Sequence, residues 1–254
     1  MASRPAGAWI PDRSSGVPAY LQIEERLAGL IEAGVLAVGD RLPAERRLAG
    51  STGVSRMTAR AALRALAERG LVTRDVGRGT FVARGRVDHD LSALTGFTEA
   101  VRRQGLAPRS RIRAVEELRA PDGIARELGL SPSAAVYRIQ RLRFADEEPL
   151  VLEDSWLPAA AFPGLLDEDL RGSLYALLDD RFGRAPVHAE ERLSPVVADR
   201  DLAGALEVDV GSPLMLVERV AAASDGTPVE FARDHHRGDR ARFVVQVRSP
   251  GTGA

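Results

Sequence analysis

The chain has 254 residues, of which 44% are hydrophobic and 28% charged, and its mean hydropathy is -0.13. This length supports one or two domains with a buried core, and the composition excludes a largely disordered or fibrous chain. The absence of cysteine excludes disulfides, thiolate nucleophiles and thiolate zinc sites. No apolar run approaches the roughly 20 residues of a membrane helix, and residues 1–16 lack the apolar stretch of a signal peptide. We therefore expect a flexible tail over 1–16, no membrane partner and a cytoplasmic location.

The charge is unevenly distributed along the chain. The net charge is only -1, and every one of the 35 basic residues is arginine. Residues 1–86 carry 14 arginines against 8 acidic residues, whereas the remainder carries 21 arginines against 28 acidic residues. A basic half joined to an acidic half predicts one module that binds a polyanion and a second module with another task. A solvated basic surface is the alternative interpretation of the first half.

Three amphipathic helices and a short hairpin are predicted in the first half. Each helix has a proline or serine near its start and a glycine just past its end. In the third helix, the predicted buried stripe is Met57, Ala61, Leu63, Leu66 and Ala67. The second and third helices form a helix-turn-helix, and the hairpin, whose turn glycines allow positive φ, forms a wing. The predicted elements are helices over 18–33, 43–52 and 55–69, strands over 71–74 and 80–83, and a turn over 76–79.

The second half predicts an α+β domain over 92–250, in which antiparallel strands are interspersed with helices. A polar, poorly patterned stretch precedes it and is interpreted as a linker over 85–91. Alternating strands around short turns form two hairpins. The predicted helices are 97–104, 121–128 and 174–181, and the predicted strands are 112–118, 136–144, 150–157, 189–196, 214–223, 229–236 and 243–247.

The third helix has the chemistry of a DNA-recognition helix. Arg56, Arg60 and Arg64 are spaced four residues apart, so their guanidinium groups lie along one face. An arginine near the start of such a helix can bond guanine with two hydrogen bonds, while the Ser55 and Thr58 hydroxyls can hold phosphate. The alternative is a face that only keeps the helix hydrated.

Five motifs in this region resemble the winged helix-turn-helix of GntR-family regulators over residues 17–84. They are Pro18-Ala19-Tyr20, Gly39-Asp40-Arg41-Leu42-Pro43-Ala44-Glu45-Arg46, Gly53-Val54-Ser55-Arg56-Met57-Thr58-Ala59-Arg60, Gly70-Leu71 and Gly77-Arg78-Gly79-Thr80-Phe81-Val82. Ala44 departs from the family, where many relatives have a capping serine, and a lost cap costs about 0.5–2 kcal/mol. The resemblance implies contacts to double-stranded DNA, with Gly79 of the wing at the minor groove. The implied DNA-binding residues are Arg46, Ser55, Arg56, Thr58, Arg60, Gly77, Arg78 and Gly79.

The second domain resembles the effector-binding UTRA domain of the HutC subfamily, which has a chorismate-lyase-like fold. The motifs that carry this resemblance are Leu94-Thr95-Gly96-Phe97-Thr98-Glu99, residues 138–143, Glu153-Asp154-Ser155-Trp156-Leu157-Pro158, Gly172-Ser173-Leu174-Tyr175 and residues 237–243. The resemblance implies that Arg141 and Arg143 bind a phosphate with help from nearby polar and aromatic groups, and that two carboxylates face a sugar. His236 stands where relatives often have tyrosine. The other implied effector-binding residues are Phe97, Thr98, Glu153, Ser173, Tyr175 and Glu230.

The residues themselves leave two interpretations of the arginine pair open. Arg141 and Arg143 share one face of a strand, and two such cations repel unless an anion or a carboxylate lies between them. An anionic ligand is one answer, and an internal bridge to Glu153 across the hairpin is the other. Glu230 is likewise either a ligand contact or a partner of Arg219.

Enzymatic and metal-binding functions are not favoured. Asp234-His235-His236 is similar to a motif of metal-dependent phosphoesterases, but adjacent histidines on a strand point to opposite faces. No phosphate-binding loop or nucleophile elbow is present, and fold analogy to chorismate lyase confers no activity by itself. We expect no enzyme activity, no metal site and no cofactor.

Together the two resemblances imply a homodimeric, ligand-responsive transcriptional regulator, in most cases a repressor, that binds an inverted-repeat operator. The signs of the pocket charges favour a small anionic effector such as a sugar phosphate or amino-sugar phosphate. A urocanate-like aromatic acid is the alternative effector. A second domain that serves only for dimerisation is the alternative to effector binding.

Overall fold

The computed structural model describes residues 9–75, 77–83 and 85–247. The chain divides into two compact units, Met1–Arg86 and Val87–Ala254. The first unit is built mainly from helices and the second mainly from strands, so the protein has the expected α+β fold.

The first unit is a three-helix bundle with an antiparallel hairpin, as the sequence predicts. Residues 39–42, which precede the second helix, are attached to the hairpin by three backbone hydrogen bonds. Gly39 N donates to Val82 O, Val82 N to Asp40 O and Leu42 N to Thr80 O. The turn residue Val76 lies outside the described residues. The elements are α1 (Ala19–Glu32), α2 (Glu45–Thr52), α3 (Arg56–Glu68), β1 (Val72–Asp75) and β2 (Gly79–Val82).

Local caps determine where α2 ends and where α3 begins. Gly53 adopts a φ of 66° and ends α2, and the Ser55 hydroxyl accepts a hydrogen bond from Thr58 N at 3.1 Å and begins α3. Ala44 provides no side-chain cap for α2.

The predicted buried stripe of α3 is wrong at its first residue. Ala59, Ala62, Leu63 and Leu66 are buried against α1 and α2, whereas Met57 is 71% exposed. Met57 is separated from Ala59 by about 200° around the helix axis, because each residue advances the helix by about 100°. The first turn of α3 therefore exposes an apolar side chain together with its arginines.

The second unit is a six-stranded antiparallel sheet with helices on both faces. The strands are β3 (Val87–Asp90), β4 (Pro108–Arg119), β5 (Ala135–Ala145), β6 (Glu148–Pro158), β7 (His188–Val197), β8 (Pro213–Ala222), β9 (Pro228–Arg237) and β10 (Ala241–Val244). The helices are α4 (Phe97–Arg103), α5 (Asp122–Glu127), α6 (Leu174–Phe182) and α7 (Arg200–Leu206). The strand order of the sheet is β4-β5-β6-β9-β8-β7, and β3 pairs with β10 as a separate two-stranded parallel sheet.

The stretch interpreted as a linker, 85–91, contains a strand. Val87 is fully buried, and β3 pairs in parallel with β10, more than 150 residues later in the chain. The last strand is also shorter than predicted, since it ends at Val244. A short strand whose only partner is distant in sequence leaves little local pattern, and this explains why β3 was not predicted.

The sheet separates two apolar layers. The layer under α6 surrounds the buried charged residues Arg141, Arg143 and Glu153. Leu174 and Leu178 of α6 pack in one core cluster with Ile139 of β5. On the opposite face, Leu206 of α7 packs with Leu142. Because side chains alternate along β5, its odd-numbered residues 139, 141 and 143 share the face that α6 covers.

Candidate functional site

The exposed face of α3 carries the predicted DNA-contacting arginines. Arg56 and Arg60 are exposed, and each Nε lies within 4 Å of the Glu45 carboxylate, at 3.8 and 3.9 Å. Arg64 Nε instead donates to Glu68 of the next turn at 2.8 Å. Sequence reasoning missed Glu45, which lies between the two arginines because α2 and α3 cross at this point. Arg56 and Arg60 thus both lie beside the Glu45 carboxylate at the start of α3.

Polar groups at the start of α3 complete this face. The Ser55 and Thr58 hydroxyls lie 2.8 Å apart, and Ser55 caps the helix. The first amides of a helix have no acceptor within the helix, so those not used by a cap are available to an anion such as phosphate. Arg46 is exposed on α2.

The tip of the wing depends on glycine. Gly77 and Gly79 adopt φ values of 83° and 131°, in the region that disfavours side chains. A Cβ atom on Gly79 would lie 2.8 Å from Arg41 Nε. Arg78 is exposed between them. Gly79 therefore permits Arg41 to lie against the wing, a contact for which the sequence gives no local signal.

In the second unit, the arginine pair is bridged by a carboxylate. The side chains of Arg141 and Arg143 are only 4% and 2% exposed. Arg141 Nη2 and Arg143 Nη1 donate to the same oxygen, Glu153 Oε2, at 2.7 and 2.9 Å. Glu153 stands directly opposite Arg141 in the register between β5 and β6. The bridge that the sequence left open as an alternative is therefore present, and it compensates one of two buried positive charges.

The other donors of this pair are only partly satisfied. Arg141 Nη1 donates to two backbone carbonyls, Leu170 O and Gly172 O, and Arg143 Nη2 donates to Thr98 Oγ1 at 2.7 Å. The Nε atoms of both arginines are buried without a hydrogen-bond partner among the described residues. The guanidinium of Arg143 also lies over the Phe97 ring, 4.6 Å from its centre.

A second buried ion-pair group adjoins the first. Arg219 Nη2 donates to Asp234 Oδ2 at 3.0 Å, and its Nε lies 3.5 Å from Glu230 Oε2. The Tyr175 hydroxyl donates to the same Glu230 oxygen at 2.8 Å. Glu230 is thus a partner of Arg219, and it also lines the cavity described next.

Two adjoining cavities, of about 610 and 310 Å³ and open to solvent, lie beside these groups. Glu153, Tyr175 and Arg219 line both of them. His236 lines the larger cavity, where its ring contacts those of His89 and Phe243 at 4.6 and 5.1 Å between centres. The other eight predicted effector-binding residues all line the smaller cavity: Phe97, Thr98, Arg141, Arg143, Glu153, Ser173, Tyr175 and Glu230.

Burial and charge shift the pKa values of these groups in opposite directions. Burial raises the pKa of Glu153, but the charges of Arg143 and Arg141 outweigh burial and hold that pKa below its usual value. Burial lowers the pKa of the Arg143 guanidinium, against the charge of Glu153. Burial raises the pKa of Asp234 to about 8 despite the charge of Arg219. At neutral pH most of Asp234 is therefore protonated, whereas Glu153 is held ionised by its two arginines.

The histidines do not form a metal site. His235 and His236 lie on opposite faces of β9, and burial lowers the pKa of His236 well below its usual value. Within 9–75, 77–83 and 85–247, no group of three or more histidine, aspartate or glutamate side chains is placed to hold a metal ion. No helix in the same ranges is long and apolar enough to cross a membrane.

Each of the two units matches the model of a known family. Residues 19–82 match the model for bacterial regulatory proteins of the gntR family, and residues 103–242 match the UTRA domain model. The chain belongs to the GntR family and carries a UTRA domain. Its relatives are transcriptional regulators, and the chain is a transcriptional regulator rather than an enzyme. The winged helix-turn-helix of this family binds DNA, and the UTRA domain binds small molecules.

Individual relatives align over nearly the whole chain. The transcriptional repressor NagR of Bacillus subtilis is 34% identical over 92% of this chain and 96% of its own length. The mannosyl-D-glycerate transport/metabolism system repressor MngR of Escherichia coli is 29% identical over 90% of this chain and 95% of its own. Among solved structures, PhnF from Mycobacterium smegmatis has a TM-score of 0.70 and 32% identity, covering 89% of this chain and 99% of that one.

Proposed function

We propose that this regulator is a cytoplasmic repressor that binds an inverted-repeat operator as a homodimer and is released by a small anionic metabolite. The effector belongs to the sugar phosphates or amino-sugar phosphates. Arg141 and Arg143 engage its phosphate, and Glu153 and Glu230 accept hydrogen bonds from its hydroxyl or amino groups.

The observation that carries the effector proposal is the partly compensated arginine pair. Arg141 and Arg143 are buried, share one carboxylate and each retain an Nε–H without a partner. Burying an uncompensated positive charge is costly, and an anion in the adjoining cavity removes that cost. Arginine also forms planar pairs with phosphate, which suits it to this ligand class.

The sugar part of the proposal rests on the carboxylates and on the relatives. Glu153 and Glu230 line the same cavity and are acceptors that a hydroxylated ligand can satisfy. MngR is by its name a repressor of mannosyl-D-glycerate transport and metabolism, which supports a sugar-derived effector.

Calorimetry with three compounds tests the effector class. Glucosamine 6-phosphate should bind, whereas unphosphorylated glucosamine should bind at least 10-fold more weakly, because it lacks the group that the arginines engage. Arg141→Ala should abolish the binding. Arg138→Ala is the matched control, because Arg138 lies on the opposite face of β5 and pairs with Asp154. Equal binding of glucosamine would refute the phosphate assignment, and tighter binding of urocanate would favour the aromatic-acid alternative.

The DNA part of the proposal rests on the exposed arginines of α3. Arg60→Ala should weaken binding to an operator duplex, selected from a random library, by roughly 1–3 kcal/mol and relax its base preference. Arg26→Ala is the matched control, since Arg26 is exposed on α1. Unchanged operator affinity in an Arg56→Ala, Arg60→Ala double variant would contradict the assignment.

We propose a dimer because one winged helix-turn-helix domain offers little DNA-contacting surface, whereas two linked domains bind DNA far more tightly. Light scattering of the full chain should give the mass of a dimer at micromolar concentration. A monomer at high micromolar concentration would contradict this part of the proposal.

A further inference from the structure

Two residues that line the larger cavity each have a buried polar atom that nothing in the described part of the chain satisfies. Asp234 Oδ1 and His236 Nδ1 have no hydrogen-bond partner there, although both residues are more than nine-tenths buried. Asp234 and His236 lie two residues apart on β9, so they point to the same face of the sheet and line the same cavity. Unsatisfied buried polar atoms are rare in folded proteins because each keeps the full cost of its lost hydration.

These atoms are separate from the groups that engage the phosphate. Neither Arg141 nor Arg143 lines the larger cavity, and neither Asp234 nor His236 lines the smaller one. The other Asp234 oxygen is already occupied by Arg219. In the strand register, Asp234 and His236 of β9 lie level with Arg141 and Arg143 of β5, with β6 between them, so the two residues line the part of the joined cavity that is two strands away from the phosphate end.

Aromatic rings form a wall at this end. The His89 ring stacks on Phe243 with 5.2 Å between centres and an interplanar angle of 25°, and the His236 ring meets both rings edge-on. His89 and His236 are both uncharged at neutral pH, because burial lowers the pKa of His89 to about 4 and that of His236 well below its usual value. The wall is thus aromatic and uncharged, and aromatic walls are suited to a planar group.

The two unsatisfied atoms can take one donor and one acceptor from a ligand. A neutral histidine nitrogen is either a donor or an acceptor, depending on its tautomer, and a carboxyl oxygen is a donor when protonated and an acceptor when ionised. When Asp234 Oδ1 carries a proton and His236 Nδ1 does not, a cyclic amide, which has an N–H beside a C=O, satisfies both atoms.

We propose that Asp234, His236, His89 and Phe243 form a second subsite that binds a neutral planar group of the cyclic-amide class carried by the effector. The proposal deepens the proposed function, since it extends the same cavity beyond the phosphate end. It implies that the natural effector is larger than a simple sugar phosphate.

The four histidines of the chain allow a direct test by NMR of histidine-labelled full-length protein. The probe is 2-pyridone, a cyclic amide of about seven non-hydrogen atoms, for which a Kd in roughly the millimolar range is expected. Its matched control is N-methyl-2-pyridone, which keeps the ring and the C=O but lacks the N–H. We expect 2-pyridone to shift the His89 and His236 signals to saturation and the N-methyl compound to bind at least 10-fold more weakly. His188, which is exposed on β7, and His235, which faces the other side of β9, should not shift.

Variants of Asp234 provide a second, independent measurement. Asp234→Ala should raise the Kd for 2-pyridone at least 10-fold, whereas Asp234→Asn should keep it within about three-fold, since an amide also offers a donor and an acceptor. A cooperative thermal unfolding transition shows that each variant is folded. If Asp234→Ala does not fold, the comparison of the two probes on the unmodified chain decides.

Two results would overturn the subsite: equal binding of both probes, which indicates an apolar cavity only, and no shift of His89 or His236. Calorimetry with glucosamine 6-phosphate on the same sample separates this failure from failure of the proposed function. Binding of the sugar phosphate without any 2-pyridone response refutes the subsite alone. A 2-pyridone response without sugar phosphate binding refutes the proposed effector class and leaves the subsite in place.

Discussion

Replacing Glu153 by glutamine separates the effect of the carboxylate bridge on stability from its effect on phosphate affinity. Glu153 Oε2 accepts from both Arg141 and Arg143, and the glutamine amide removes the negative charge while it keeps an acceptor oxygen. Two buried guanidinium groups are then left without a counter-charge. We expect the ligand-free protein to become less stable and its affinity for phosphate to rise.

Both magnitudes follow from the burial of the pair. Removing one partner of a buried ion pair costs about 3–5 kcal/mol, which for a unit of this size lowers Tm by roughly 6–20 °C. At an effective dielectric constant of about 20, unit charges about 4 Å apart interact by about 4 kcal/mol, and this is an upper limit for the repulsion that Glu153 exerts on a bound anion. A gain in phosphate affinity of about 10–100-fold corresponds to about 1.4–2.8 kcal/mol and lies within that limit.

Thermal unfolding with increasing inorganic phosphate measures both effects in one experiment. Arg143→Met is the matched control, because it leaves Arg141 and Glu153 as a neutral pair at 2.7 Å. Arg143→Met should therefore destabilise the protein less than Glu153→Gln and should weaken phosphate binding at least 10-fold. The reasoning is refuted if Glu153→Gln binds phosphate no more tightly than the unmodified chain, or if Arg143→Met is the more destabilising change.

Three further changes test other parts of the account. Ser55→Ala removes the cap of α3 and should lower the free energy of unfolding by about 0.5–2 kcal/mol in urea titrations; an unchanged midpoint would contradict the cap. Gly79→Ala should weaken operator binding in gel shifts, because its Cβ meets Arg41 at a φ of 131°, whereas Gly85→Ala, with open space around it, should not. Asp234 has a folded-state pKa of about 8 against 3.8 for the unfolded chain, so its contribution to stability is complete below pH 3.8 and is lost as the pH rises to 8. Relative to Asp234→Asn, the free energy of unfolding should therefore fall as the pH rises from about 4 to 8, and parallel pH profiles would contradict the assignment.

The elements that sequence predicts well are those with local signals. Ser55 and Gly53 are capping residues in the sequence and act as caps in the structure, and the hairpin of β5 and β6 has the predicted turn over 145–148. The short α7 was not predicted, although Asp199 at its N-cap accepts from Leu202 N at 2.8 Å. That aspartate, followed by Leu202 and Leu206, was an available signal. By contrast, β3 depends on a partner strand more than 150 residues away and has no such signal.

For the smaller cavity, the family resemblance named residues that line it but could not predict their contacts, and their role in effector binding stays a prediction. The eight residues implied around the smaller cavity all line it. Whether Glu153 compensates one arginine or two depends on side-chain directions in three dimensions, and only the structure shows both bonds on one oxygen. In the sequence, Asp234 stands out only as part of a possible metal motif. Its contact with Arg219 and its unpartnered Oδ1 arise when β8 and β9 pack together, so no local pattern predicts them.

The central claim is that anion binding in the UTRA domain weakens operator binding. Fluorescence anisotropy of the full chain on a selected operator duplex, titrated with glucosamine 6-phosphate, measures this coupling directly. A coupling free energy of about 1–3 kcal/mol predicts that a saturating effector raises the operator Kd by about 5–150-fold, and that Arg141→Ala abolishes this response without changing the Kd in its absence. An operator Kd that stays constant while calorimetry on the same sample shows the effector bound would contradict the account.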